Sequence, residues 1–174
     1  MIDDGAFDDV LAGNEEFAAH FHGGSLPHIA ARGLAVVTCM DSRIEPLHVL
    51  GMQAGDAKIL RNAGARVTDD VLRTLVLAVY ALGVHRVLVM PHTHCRMAES
   101  TEPEIHALIA ARGGLDSRSL DFLTTEDQRA SLRHDLIKLR AWPYLPDDIA
   151  IGGAIYDVST GRLEPMPLEP RPSA

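Results

Sequence analysis

Leu34-Ala35-Val36-Val37-Thr38-Cys39-Met40-Asp41-Ser42-Arg43 is the stretch on which the reading of this chain turns. Leu34 to Thr38 is a short, nearly continuous apolar run, the pattern of a central strand covered on both faces. Cys39 stands at its carboxyl end. Asp41 and Arg43 follow at alternate positions, so if extended geometry persists past Cys39 the thiol, carboxylate and guanidinium all point the same way. A carboxylate gripped by a guanidinium stays ionised and fixed in direction.

Working outward, a second strand is predicted over Ala57 to Leu60, running into Arg61-Asn62-Ala63-Gly64, where the glycine permits a turn. Thr68 reads as an N-cap, with Asp69 and Asp70 in the first turn of a helix that continues to Leu82 and stops at Gly83. Apolar residues go almost all round that helix, which predicts burial. A third strand, Val84 to Met90, delivers His92-Thr93-His94-Cys95 just beyond its end. Thr101 with Glu104, and Thr125 with Gln128, form capping-box patterns for helices to Arg112 and to about Ala141. A last strand is predicted from Ile149 to Val158, before the turn Ser159-Thr160-Gly161.

Strands separated by helices predict an α/β fold with a mainly parallel sheet flanked by helices, whose ligand sites form at the carboxyl ends of the strands. Before the sheet, Phe7, Val10, Leu11, Phe17 and Phe21 fall near helical spacing and predict an amphipathic helix over about residues 7–22. It either covers its own core or packs on a partner. Residues 1–164 read as a single domain, the one that carries the cysteine and histidine motifs, and 165–174 as an extended Pro-rich tail.

At 174 residues with 47% hydrophobic content, the chain can bury a real core. A net charge of -8, with no run of Lys or Arg, argues against nucleic acid or an anionic membrane as partner. Met1-Ile2-Asp3-Asp4 is acidic where a secretory signal is basic, and Leu75 to Val84 is too short to span a bilayer, so a cytoplasmic location is expected. In that compartment the chain's two cysteines, Cys39 and Cys95, stay reduced and available to a metal.

Two thiolates and an imidazole suit Zn²⁺, and three protein ligands leave a fourth tetrahedral position open for water or substrate. An open position implies catalysis, because zinc lowers the pKa of a bound water to roughly 7 and so makes a hydroxide nucleophile. Asp41, held by Arg43, could accept the hydrogen bond of that water. If Arg43 released it, Asp41 could itself fill the fourth position and close the site.

Cys39-x-Asp41-x-Arg43, Arg61-Asn62-Ala63-Gly64 and His92-x-x-Cys95, in this order and spacing, resemble the β-class carbonic anhydrases, and the similarity extends from about Ala35 to Met97. The resemblance implies reversible hydration of CO2 to bicarbonate and a proton, and Zn²⁺ held by Cys39, His92 and Cys95. It further implies the catalytic pair Asp41 and Arg43, and a homodimer or dimer-based oligomer with active sites near the subunit interface. The family's spacing selects His92 over His94 as the ligand. Asn62, Gly64 and Arg96 are candidates to line the substrate pocket. Arg96 replaces the glycine common after the second zinc cysteine, and Pro91 and His94 also depart from the usual surroundings of the histidine. These departures keep a COS or CS2 hydrolase on the same fold in view as an alternative. A non-catalytic zinc-binding dimer, in which Asp41 permanently closes the site, ranks last because Arg43 is present to hold Asp41 away.

Overall fold

Strand β1 (Leu34–Cys39) has every residue buried, as a parallel strand covered on both faces must. The computed structural model describes residues 5–167, so Met1 to Asp4 and most of the Pro-rich tail lie outside the described residues. In chain order the elements are α1 (Asp8–Ala19), β1, a short α2 (Pro46–Val49), β2 (Ala57–Asn62), α3 (Asp69–Ala81), β3 (Arg86–Met90), α4 (Glu102–Ala111), α5 (Gln128–Arg140), β4 (Ala150–Tyr156) and β5 (Leu163–Met166). The sheet order is β2-β1-β3-β4-β5. All pairings are parallel except β4 with β5. The expected α/β architecture is therefore present.

Alternation along β1 divides the core. Ala35 and Val37 join Val87 and Val89 of β3 beneath α3 and α5, where Leu72, Leu75, Leu136 and Leu139 are wholly buried. Each such leucine contributes roughly 1.5–3 kcal/mol through burial. Leu34 and Val36 face the other way, into a smaller cluster with Ile44, Met90 and Tyr156. The order in which strands are laid down reverses at β1, because its neighbours β2 and β3 lie on opposite sides, and the carboxyl ends of β1 and β3 thus flank the crevice where such sheets bind ligands.

Several details differ from the sequence expectation. Helix α3 buries Val71, Leu72, Leu75 and Ala78 but leaves Leu77 and Tyr80 exposed, so its apolar circumference is only half covered. Thr125 does not cap α5. Asp127 does, accepting from the N–H of Ala130 at 2.9 Å, while the Thr125 hydroxyl turns to the Asp127 carbonyl. Strand β5 was not expected, and it draws Pro165 and Met166, placed by composition in the tail, into the edge of the sheet. Its four residues carry no alternating apolar signal. Helix α1 has no buried residue at all, and Phe7, Val10, Leu11 and Phe17 all lie open to solvent in the single chain. None of the described helices is long and apolar enough to cross a membrane.

Gly153 of β4 is where α5 settles onto the sheet. A Cβ there would lie 2.7 Å from Leu136 Cδ1 and 3.2 Å from Leu132 Cδ1. Gly153→Ala should lower stability by about 1–3 kcal/mol through overpacking, measured as a lower urea midpoint with unchanged slope.

Candidate metal centre

Cys39 is carried by the last residue of β1, and the other donors follow β3. The chain past β3 remains bonded to β4: Tyr156 donates to the Pro91 carbonyl at 2.8 Å and Thr93 to the Tyr156 carbonyl at 2.9 Å. His92 is thereby held in extended backbone and wholly buried. His94 then adopts a left-handed conformation, φ +54°, one that histidine tolerates better than most residues. This bend throws the His94 ring outward, 3.2 Å from Glu99 Oε1, while Cys95 comes back to the Cys39–His92 cluster. The geometry separates two histidines that an extended strand would have aligned.

Cys39, His92 and Cys95 are all buried, and their potential ligand atoms lie within 4.8 Å of one another. The two sulfurs are 4.0 Å apart, against about 3.8 Å for two thiolates bound tetrahedrally to one zinc at about 2.3 Å. His92 Nδ1 donates to the Thr93 carbonyl at 2.8 Å, which puts the lone pair on Nε2. That Nε2 is buried without a hydrogen-bond partner. An orphaned imidazole nitrogen aimed at two thiols is a donor set that fits Zn²⁺.

The two thiols are electrostatically unequal. The contact with Cys95 holds the Cys39 thiol far below the ordinary range against the opposing effect of burial, helped by His92 and the Gly64 N–H; the same contact pushes Cys95 up. Gly64 N–H points at Cys39 Sγ from 3.4 Å. Next to the cluster, Asp41 Oδ2 lies 3.7 Å from His92 Nε2. Arg43 clamps this carboxylate, Nε to Oδ1 at 2.9 Å and Nη2 to Oδ2 at 2.7 Å, with its own backbone N–H adding a third bond. The Arg43 side chain is the main cause that holds the Asp41 carboxyl well below the usual carboxylate range. Arg43 also donates to the His94 carbonyl at 2.9 Å, tying the two halves together.

Arg61 donates to the carbonyls of Cys39 (2.9 Å) and Asp41 (2.6 Å), fixing the loop between them. Both ends of the Asn62 amide engage the Arg66 backbone, the side chain donating to its carbonyl and accepting from its N–H. Gly64, with φ +79°, borders a cavity of about 10 Å³ behind Cys95, room for about one water. Arg96 is exposed, and its charge acts on Glu104 at the start of α4. Sequence reading missed Gln128, whose side-chain amide donates to the His92 carbonyl at 2.7 Å, and the Arg66–Asp135 ion pair at 2.8 Å. Asp135 did leave a signal: it is an acid on the stripe formed by Leu132, Leu136 and Leu139.

A family model described as carbonic anhydrase matches residues 34–163, a span that contains all three motifs. The chain is 34% identical over 159 residues to beta-carbonic anhydrase 1 of Mycobacterium tuberculosis, covering 90% of this chain and 94% of that one. It is also 34% identical over 156 residues to a carbon disulfide hydrolase of Acidianus, covering 76% of each. The crystal structure of a carbonic anhydrase from Streptococcus mutans superposes with a TM-score of 0.86 at 40% identity, covering 91% of this chain and 96% of that one. With its sheet, its cysteine–histidine–cysteine cluster and this match over most of its length, the chain belongs to the β-class carbonic anhydrase family.

Proposed function

We propose that this enzyme catalyses reversible hydration of CO2 to bicarbonate and a proton, with Cys39, His92 and Cys95 holding Zn²⁺ and with Asp41 and Arg43 as the catalytic pair. Zinc in such a site supplies Lewis acidity, bringing a coordinated water to a pKa of about 7. The chain supplies the rest. Asp41 Oδ2, beside the donor cluster, accepts a hydrogen bond from the reacting water and so orients its lone pair. Arg43 keeps Asp41 ionised and keeps it from entering the cluster. Arg61 and the Arg43 bond to His94 hold both loops still while this happens.

One observation carries the reading: both oxygens of Asp41 are engaged by Arg43, while the atoms gathered within 4.8 Å are those of Cys39, His92 and Cys95 without it. That arrangement supports an open fourth position and weighs against a non-catalytic protein closed by Asp41. A second reading is hydrolysis of CS2 or COS; its CS2 arm is supported by the 34% identity to the Acidianus carbon disulfide hydrolase, over 76% of each chain. Stopped-flow CO2 hydration compared with CS2 and COS turnover on one zinc-replete preparation decides between them, and CO2 hydration is expected to be the faster.

Quaternary structure and compartment follow as further parts of the proposal. A helix without a buried residue gains little from its own chain, so the exposed apolar residues of α1 favour a homodimer or dimer-based assembly. The use of both cysteines as metal ligands, and not as a structural disulfide, favours the cytoplasm.

Asp41→Asn should retain one zinc per chain by elemental analysis yet lose on the order of 10²-fold or more in kcat. Because the Asp41 carboxyl is depressed in the folded state, its stabilising contribution is present above the unfolded carboxylate pKa of about 3.9 and is lost as pH falls through the folded value. The stability difference between wild type and Asp41→Asn should therefore be constant above about pH 5 and shrink in stronger acid, as followed by urea denaturation. Placing a charge in the apolar face of α1 with Phe17→Glu should shift sedimentation toward the monomer.

A further inference from the structure

The turn that aims an N–H at Cys39 is strained. Gly64 and Ala65 both have left-handed backbone, φ +79° and +59°, which costs a residue with a Cβ such as Ala65 energy that its surroundings must offset. The surroundings are specific. Asn62 brackets the backbone of Arg66 from one side, donating to its carbonyl at 2.7 Å and accepting from its N–H at 2.9 Å. From the other side Asp135 of α5 binds the guanidinium of Arg66, Nε to Oδ2 at 2.8 Å and Nη2 to Oδ1 at 3.3 Å, and accepts from the Val67 N–H at 3.1 Å. Arg66 Nη1 continues to the Leu123 carbonyl at 2.9 Å.

Asp135 is only 3% exposed. Taking such a pair out of water is costly, and apolar residues of similar size fill a site of this kind as stably, so packing alone does not account for it. Seven residues earlier on α5, and so on the same face two turns away, Gln128 holds the His92 carbonyl. One helix face thus reaches the segment that follows the Gly64–Ala65 turn and the backbone of His92.

We propose that Asp135 is a positioning residue for the metal centre: through Arg66 and the Val67 N–H it holds the Gly64–Ala65 turn, and with it the Gly64 N–H that faces Cys39 Sγ. α5 then acts as a rigid strut that sets the thiolate half of the site against the imidazole half. This inference rests on the metal reading of Cys39, His92 and Cys95.

The test uses full-length protein in two forms. Asp135→Asn keeps the volume and removes the charge; Arg66→Met/Asp135→Leu removes both charges, so that neither is left buried alone. Folding is established by circular dichroism and thermal melting. Zinc affinity is measured by competition with a chelating dye, and Co²⁺ is added as a probe whose thiolate-to-metal charge-transfer band reports the sulfur geometry. Both variants should bind Zn²⁺ about 10- to 100-fold more weakly than wild type, the magnitude usual for partners that orient metal ligands, with a shifted Co²⁺ band.

Adding Ala65→Gly, which removes the Cβ strain, should recover much of the lost affinity in either background; a merely structural role for Asp135 predicts no such rescue. Zinc affinity and Co²⁺ spectrum equal to wild type in both folded variants would overturn the proposal alone. Failure of wild type itself to bind Zn²⁺ or Co²⁺ one to one would overturn the metal reading and this inference with it.

Discussion

The site depends on the register of parallel strands. Thr38 pairs with Met90 and, on the other side, with Arg61, while Cys39 pairs with Asn62. Motifs that are remote in sequence therefore end side by side on β2, β1 and β3. The buried Thr38 hydroxyl adds a bond to the Met90 carbonyl at 2.8 Å, which pins β1 against β3 at the last pairing before the donors. A slip of one residue would carry Cys39 about 3.3 Å along the strand and turn its sulfur to the opposite face. The metal donors are an outcome of sheet alignment before they are an outcome of loop design.

Charge supplies the complementary constraint. Cys39 and Cys95 sit in an apolar cluster with Leu34, Val36, Ile44 and Met90, where burial opposes the ionisation of either sulfur. The Gly64 N–H is a weak substitute for a cation at 3.4 Å. Filling the centre with a divalent ion would neutralise the sulfurs and satisfy His92 Nε2 together, so metal binding and the integrity of this half of the core are coupled. The other half, under α3 and α5, is packed mainly by apolar side chains and reaches the centre only through the polar residues of α5.

Much of this was legible in the residues themselves. The continuous apolar run of β1, the Thr68 cap and the Thr101–Glu104 capping box all reflect local chemistry, and each stands where it was expected. So does the Asp41–Arg43 pair, although β1 ends at Cys39 and the two meet in a loop rather than along a strand. What escaped was tertiary. Gln128 carries a capping pattern with Thr125, yet Asp127 is the better cap and leaves Gln128 free to reach His92. Asp135 lies 69 residues from its partner Arg66, and no local pattern joins them. Helix α1 forms where its periodicity places it, and its apolar residues stay open because the rest of the chain offers them no surface to pack on.

Strand β5 closes the sheet in a way that limits how copies of this chain can meet. It is four residues long and runs against β4, with Pro165 opposite Ala154. Lacking an N–H, Pro165 interrupts the row of donors that a further strand would need. That margin is a poor template for continuing the ladder, so on this side contacts between copies are left to side chains and helical surfaces, and runaway edge-to-edge stacking is discouraged.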